Sequence, residues 1–238
     1  MRRMMKVQHD IVFMLDVDNT LLDNDHFLLA LKQHMAEQFG DTLRDHFFSI
    51  LESLRVQLGY IDYLSALQCL RFADIHDPRM LLVSAYLLDY PFATLLYPDA
   101  LAVIAHLNRR GTTVIVSDGD AVFQPRKIQR SGLWDAVEGR VLVYVHKERM
   151  IDAIEADFPA RHYVMVDDKL RLLSIMKEAW GERLTTVFPR QGHYALDDAE
   201  VHQYRSPDIT LERIGDLLNQ TFTRPDAQSA PLFVGQRA

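Results

Sequence analysis

Ile11-Val12-Phe13-Met14-Leu15 runs directly into Asp16-Val17-Asp18-Asn19-Thr20, and the fold turns on how this stretch is read. Five consecutive apolar residues without polar alternation are the pattern of a strand buried on both faces, as in a parallel sheet covered by helices. The run stops at two carboxylates spaced two residues apart. In parallel α/β sheets, ligands gather outside the carboxyl ends of the strands. Unpaired carboxylates are costly to bury, so a pair emerging there points to a cation. An acidic turn that caps the following helix is the other reading.

Working outward, four further apolar runs resemble the first: Thr113-Val114-Ile115-Val116, Val141-Leu142-Val143-Tyr144-Val145, Tyr163-Val164-Met165-Val166 and Leu184-Thr185-Thr186-Val187-Phe188. Helical patterns separate them, over Pro98–Asn108, Gln124–Arg130, Lys147–Asp157 and Leu170–Trp180. Strands alternating with helices predict an α/β fold, a parallel sheet with helices on both faces. The interval from Asn24 to Phe92 breaks the alternation. Phe27, Leu28, Leu31, Met35 and Phe39 share one helical face, and Leu43, Phe47, Ile50, Leu51, Leu54 and Leu58 share another. Ile61, Leu64, Leu67 and Leu70 form a third stripe, and Asp77-Pro78 is a cap followed by a proline suited to the first helical position. About four amphipathic helices are thus inserted after the first strand. The expected division is a core of residues 1–23 and 93–222, a helical module of 24–92, and a polar tail of 223–238 that is expected to be poorly ordered. Ile209 to Leu218 reads as one short helix.

Composition sets limits. Nearly half of the 238 residues are hydrophobic and a quarter are charged, as in ordinary globular chains. A formal net charge of −7 gives no electrostatic reason to expect nucleic acid or an anionic membrane as partner. A small anion can still bind where a metal and local cations reverse the sign of a pocket. Cys69 is the single cysteine, which excludes an intrachain disulfide and a thiolate zinc cluster. No stretch approaches the ~20 apolar residues of a membrane span. A cytoplasmic location is the expectation.

Two more strand ends carry chemistry. The second strand ends in Ser117-Asp118-Gly119-Asp120, where a hydroxyl and free backbone N–H groups suit a phosphoryl oxygen, or an ordinary cap and turn. The fourth apolar run ends in Asp167-Asp168, a second acidic pair, which serves either as a metal site or as a helix cap. Lys147 opens the helix before that run, where a lysine beside a phosphate would offset charge.

Taken together and in this order, these residues resemble the haloacid dehalogenase superfamily of phosphohydrolases over roughly residues 10 to 190. Asp16 and Asp18 match the first motif, Asp-x-Asp-x-Thr. Ser117 matches the second motif, Lys147 the third, and Asp167 with Asp168 the acidic fourth. The insert looks like that family's helical cap of the first type on a Rossmann-like core. The resemblance implies that Asp16 attacks phosphorus to form an aspartyl-phosphate. It implies that Asp18 protonates the leaving alcohol and then takes a proton from water. Thr20 is expected to steady the loop and, with Ser117, Asp118, Gly119 and Lys147, to serve phosphate binding. Mg²⁺ is expected on Asp16, the Asp18 backbone carbonyl and one of Asp167 or Asp168, with Asp168 the direct ligand and Asp167 acting through water.

Three departures stand out. Position 19 is Asn where Gly is commonest, the fourth motif lacks a further Asp, and Lys147 lacks the Pro that often follows it. Lys127 is a rival to Lys147, but is expected to face outward on its helix. Asp18 distinguishes the chain from dehalogenases, since a halide leaves without a proton. A phosphatase acting on a small-molecule phosphomonoester is the expected activity. A phosphomutase or phosphotransferase using the same site, and a non-catalytic phosphate-binding regulator, remain alternatives. A phosphorylated receiver domain is disfavoured by the long insert. His26, Arg55, Tyr60, Tyr63, Arg71 and Arg79 are candidate specificity residues of the insert. Lys32, its one lysine, carries little weight as the Schiff-base amine that a phosphonate hydrolase would need. His193 either borders the pocket or, as expected, sits on a surface loop. Substrate and oligomeric state are not legible.

Overall fold

The computed structural model describes residues 8–73, 77–197 and 202–222. Six strands form one sheet: β1 His9–Leu15, β2 Thr112–Asp118, β3 Val141–Tyr144, β4 Ala160–Val166, β5 Leu184–Pro189 and β6 Ile209–Leu211. Their order is β3-β2-β1-β4-β5-β6, and every pairing is parallel. The apolar run of β1 therefore sits at the centre. Ile11, Phe13 and Leu15 enter one apolar cluster while Val12 and Met14 enter the other, on the opposite face. Two covered faces explain why the run does not alternate with polar residues.

The inserted segment folds as α1 Asn24–Phe39, α2 Asp41–Leu58, α3 Tyr63–Ala73 and α4 Met80–Asp89. Asp23 caps α1 by accepting the His26 N–H at 2.9 Å. Gly59 ends α2 in the left-handed region, where its N–H reaches the Arg55 carbonyl. Helix α4 starts two residues later than the Asp77-Pro78 signal suggests. The Asp77 carboxylate accepts the Arg79 N–H at 2.9 Å and closes a separate turn first. The buried stripe Phe27, Leu31 and Met35 belongs to the same apolar cluster as one face of the sheet. The insert is thus packed continuously onto the core, with Phe123 of the core at 5.7 Å from Phe27, 4.9 Å from Tyr63 and 5.8 Å from Phe92, ring centre to ring centre.

The remaining helices are α5 Ala100–Asn108, α6 Phe123–Arg130, α7 Leu133–Ala136, α8 Ile151–Asp157, α9 Leu170–Trp180 and α10 Gly192–Leu196. The helix expected from Lys147 is divided into a 3₁₀ turn, Lys147–Arg149, and α8. The helix expected over Ile209–Leu218 is replaced by β6 and a 3₁₀ segment, Ile214–Asn219. Asp208 causes the difference: its carboxylate accepts the Thr186 N–H at 2.8 Å and pairs with Lys177 at 2.9 Å, which docks the next residues along β5. The expected tail, 223–238, lies outside the described residues. Among the described residues, no helix is long and apolar enough to cross a membrane.

Candidate active site

The strand order reverses direction at β1, whose neighbours are β2 on one side and β4 on the other. Such a switch point opens a crevice at the carboxyl ends of the strands. Asp16 leaves β1 there, its N–H on the Val166 carbonyl at 3.0 Å, and Asp167 leaves β4 beside it. Asn19 has φ +59, a left-handed conformation that Asn tolerates better than most residues. Its side-chain oxygen accepts the N–H groups of Asn24 and Asp25, so the Asn that stands in place of Gly binds the start of α1.

Asp16, Asp167 and Asp168 are buried, and one carboxylate oxygen from each lies within 4.8 Å of the others. Lys147 Nζ, itself buried, stands 2.5 Å from Asp16 Oδ1 and 2.6 Å from Asp167 Oδ2. Burial alone would lower the lysine pKa, but the carboxylates of Asp16, Asp167 and Asp118 reverse this and raise it. Burial pushes Asp167 up to about 6, with Lys147 opposing the rise. Asp168 is raised well above the ordinary carboxylate range by burial, against the pull of Lys169. Among the described residues, neither oxygen of Asp168 has a hydrogen-bond partner. A buried carboxylate with both oxygens unsatisfied, facing two more acids, fits a hard divalent cation.

Ser117 is buried at the end of β2, with its Oγ accepting Gln124 Nε2 at 2.9 Å. Three residues expected to serve phosphate binding have other partners here, and Thr20 has the loop-steadying place also expected of it. The Gly119 N–H donates to the Tyr144 carbonyl at 2.8 Å and is committed to the edge of the sheet. The Asp118 carboxylate accepts the Lys147 N–H at 2.7 Å, and a second negative charge there would repel phosphate, so its role is to fix the turn that presents Lys147. Burial raises the pKa of Asp118, against the attraction of Lys147. Thr20 is fully buried and its hydroxyl accepts the Asp168 N–H at 3.1 Å, so it braces the two acidic loops against each other.

Lys127 is the largest departure from expectation. It does not face outward: it is buried, with Nζ 2.6 Å from Asp18 Oδ1 and 3.1 Å from Asn24 Oδ1. Gln124, which sequence reasoning passed over, is also buried and reaches Asp18 Oδ2 at 3.2 Å. The available signal was position: both residues share the face of α6 that carries Phe123 and Ile128.

Above these groups lies a pocket of about 1000 Å³, lined on the insert side by residues including Lys32, Arg55, Tyr60 and Tyr63. His26, Arg71 and Arg79 do not line it. His193 does, from the short helix α10 rather than a loop and with its side chain still largely exposed. Its N–H and Nδ1 meet the Asp25 carboxylate at 2.8 and 2.6 Å, joining α10 to the first turn of α1.

A Rossmann-like parallel sheet with a helical insert after its first strand, and a lysine-bridged acidic cluster at the switch point, defines a hydrolase of the haloacid dehalogenase type. The family model of haloacid dehalogenase-like hydrolases matches residues 12–179, and the chain belongs to that family. A haloacid dehalogenase-like hydrolase of Burkholderia xenovorans LB400 is 60% identical over 90% of this chain and all of its own, with a TM-score of 0.86. Two more distant structures share the fold alone. YfnB of Bacillus subtilis, a HAD-hydrolase bound to magnesium, is 14% identical over 90% of this chain and 98% of its own, TM-score 0.59. The L-2-haloacid dehalogenase PA0810 is 17% identical over 87% of this chain and 97% of its own, TM-score 0.59. A search of curated proteins finds no match.

Proposed function

We propose that the chain is a Mg²⁺-dependent phosphatase acting on a small-molecule phosphomonoester, with Asp16 as nucleophile. Asp18 carries this reading. It lines the pocket two residues from Asp16, where a dehalogenase needs no proton donor. An Asp16 oxygen attacks phosphorus as the ester P–O bond breaks, and Asp18 gives its proton to the departing alkoxide. A water then loses a proton to Asp18 and attacks the aspartyl-phosphate, breaking the P–O bond to Asp16 and freeing inorganic phosphate. Lys147 and the Ser117 hydroxyl are the cation and donor assigned to the phosphoryl oxygens. Mg²⁺ would be held by Asp16, the Asp18 carbonyl and Asp168, and supplies charge neutralisation between nucleophile and phosphate. Asp168 is preferred to Asp167 because Asp167 is already engaged by Lys147 and by the Lys169 N–H at 2.9 Å. The helical insert would act as a cap that excludes water from the pocket.

The test is phosphate release from a panel of metabolite phosphomonoesters, with and without Mg²⁺. Turnover that needs Mg²⁺ and is lost in Asp16→Asn is expected. Absence of hydrolysis across the panel would favour a phosphate-binding regulator, and full activity in Asp16→Asn would overturn the mechanism.

A further inference from the structure

Helix α6 buries a glutamine and a lysine where a fold alone would place apolar residues. Its buried side chains are Phe123, Gln124, Lys127 and Ile128. Taking a lysine out of water is costly, and an uncharged residue of similar volume would fill the same space at less cost. The Lys127 stem lies beside the Phe123 ring, with Nζ 5.2 Å from its centre. The two polar heads converge on one carboxylate: Lys127 on Asp18 Oδ1 at 2.6 Å and Gln124 on Asp18 Oδ2 at 3.2 Å. The lysine side chain is 2% exposed and that of Asp18 is 27% exposed, so the cradle lies behind the acid and leaves its front open to the pocket. Gln124 also holds Ser117 Oγ at 2.9 Å, and Lys127 also holds Asn24 at the first residue of α1. The group that would transfer the proton is therefore tied both to the phosphate-holding serine and to the start of the insert.

We infer that Lys127 and Gln124 are positioning residues that aim the Asp18 carboxylate, one oxygen each, at the ester oxygen of the bound substrate. This rests on the phosphatase reading above. Both residues act through Asp18, so their effect follows how much the reaction depends on its proton. A good leaving group departs without help, and a poor one does not.

The experiment compares kcat/KM on p-nitrophenyl, phenyl and benzyl phosphate, three esters of similar shape whose leaving groups become steadily poorer. Lys127→Met is expected to lose less than about 3-fold on the first and about 30-fold or more on the last, part of the full worth of a general acid. Lys127→Arg, which keeps the donor, is expected to recover most of the loss, and Gln124→Leu to follow the same order with smaller losses. A folding defect lowers all three substrates by one factor, so equal losses across the series would overturn the inference. If Lys127→Met fails to fold, Gln124→Leu decides by the same criterion. If the wild type hydrolyses neither these three nor any ester of the metabolite panel, the phosphatase reading fails and this inference with it; where it takes only panel esters, the same graded loss is read between the panel's good and poor leaving groups. If the wild type hydrolyses them and only the graded loss is missing, the positioning role alone fails.

Discussion

In metal-free protein, Asp167 makes the fold less stable as pH rises. Its folded-state pKa is pushed up to about 6 by burial, against about 3.9 in an unfolded chain. Between those values the folded chain holds a proton that the unfolded chain has lost. Stability therefore falls as pH rises through this window, and the deficit is complete above about pH 6. The difference corresponds to about 3 kcal/mol, a large part of the stability of an ordinary domain. Lys147 at 2.6 Å opposes the effect, so the sign depends on burial outweighing the ion pair. Urea unfolding in EDTA, for wild type and Asp167→Asn, isolates the residue. Near pH 4 the two should be close. Near pH 7 the variant should be more stable by up to about 3 kcal/mol. Mg²⁺ should stabilise the wild type, and more strongly near pH 7 than near pH 5, because at the lower pH it competes with the proton. An Asp167→Asn variant that is less stable near pH 7, by a margin that persists near pH 4, would refute the reasoning and make the Lys147 pairing dominant.

Three further outcomes follow from the geometry. Lys147→Met strands Asp16 and Asp167 as buried unpaired acids, so urea unfolding should show a loss of about 3–5 kcal/mol and phosphate release should fall about 100-fold or more. Gly192→Ala forces a residue at φ +71 to carry a Cβ that meets the Asn19 side chain. A thermal midpoint lowered by several degrees, with reduced turnover, is the expected result. Phe123→Ala opens a void among Phe27, Tyr63 and Phe92 at the junction of insert and core. It should cost about 3–5 kcal/mol and raise KM as the insert loosens, read from denaturation and steady-state kinetics.

The central strands were legible because both of their faces are covered: β1, β2 and β4 carry apolar runs, and β5 keeps the pattern around Thr185 and Thr186. Strand β6 was not, because it is three residues long and is specified by Asp208, a side chain fixed only when Thr186 and Lys177 arrive from elsewhere in the chain. Asp16, Asp167, Asp168 and Lys147 could be picked out because each follows a strand or opens the helix after one, and parallel strands bring such ends together. Lys127 was misread because a lysine on a helix is ordinarily solvated. The face it occupies is apolar at Phe123 and Ile128, and that spacing was the overlooked signal. The contact of His193 with Asp25 was not legible for a related reason: the two are distant in sequence and the pair forms only across the fold.

Charge accounting ties the metal to the chemistry. Asp16, Asp18, Asp118, Asp167 and Asp168 surround the crevice, and Lys127, Lys147 and Lys169 answer them. Lys127 is held by Asp18 and Lys147 bridges Asp16 and Asp167. Burial would lower the Lys169 pKa, but Asp168, Asp16 and Asp167 outweigh it and raise it, so this cation too is committed. Under the proposed mechanism Asp18 is protonated for the first step, and burial holds Asp168 well above the ordinary carboxylate range, so the metal-free cluster is near balance and a phosphate dianion would add uncompensated charge. A further cation would offset that charge, and the oxygens of Asp168, without a hydrogen-bond partner among the described residues, mark where it would sit. Under the proposed mechanism, turnover and metal binding should therefore rise and fall together. EDTA should abolish turnover as completely as Asp168→Asn does, and hydrolysis that survives either treatment at its original rate would mean that the lysines alone suffice.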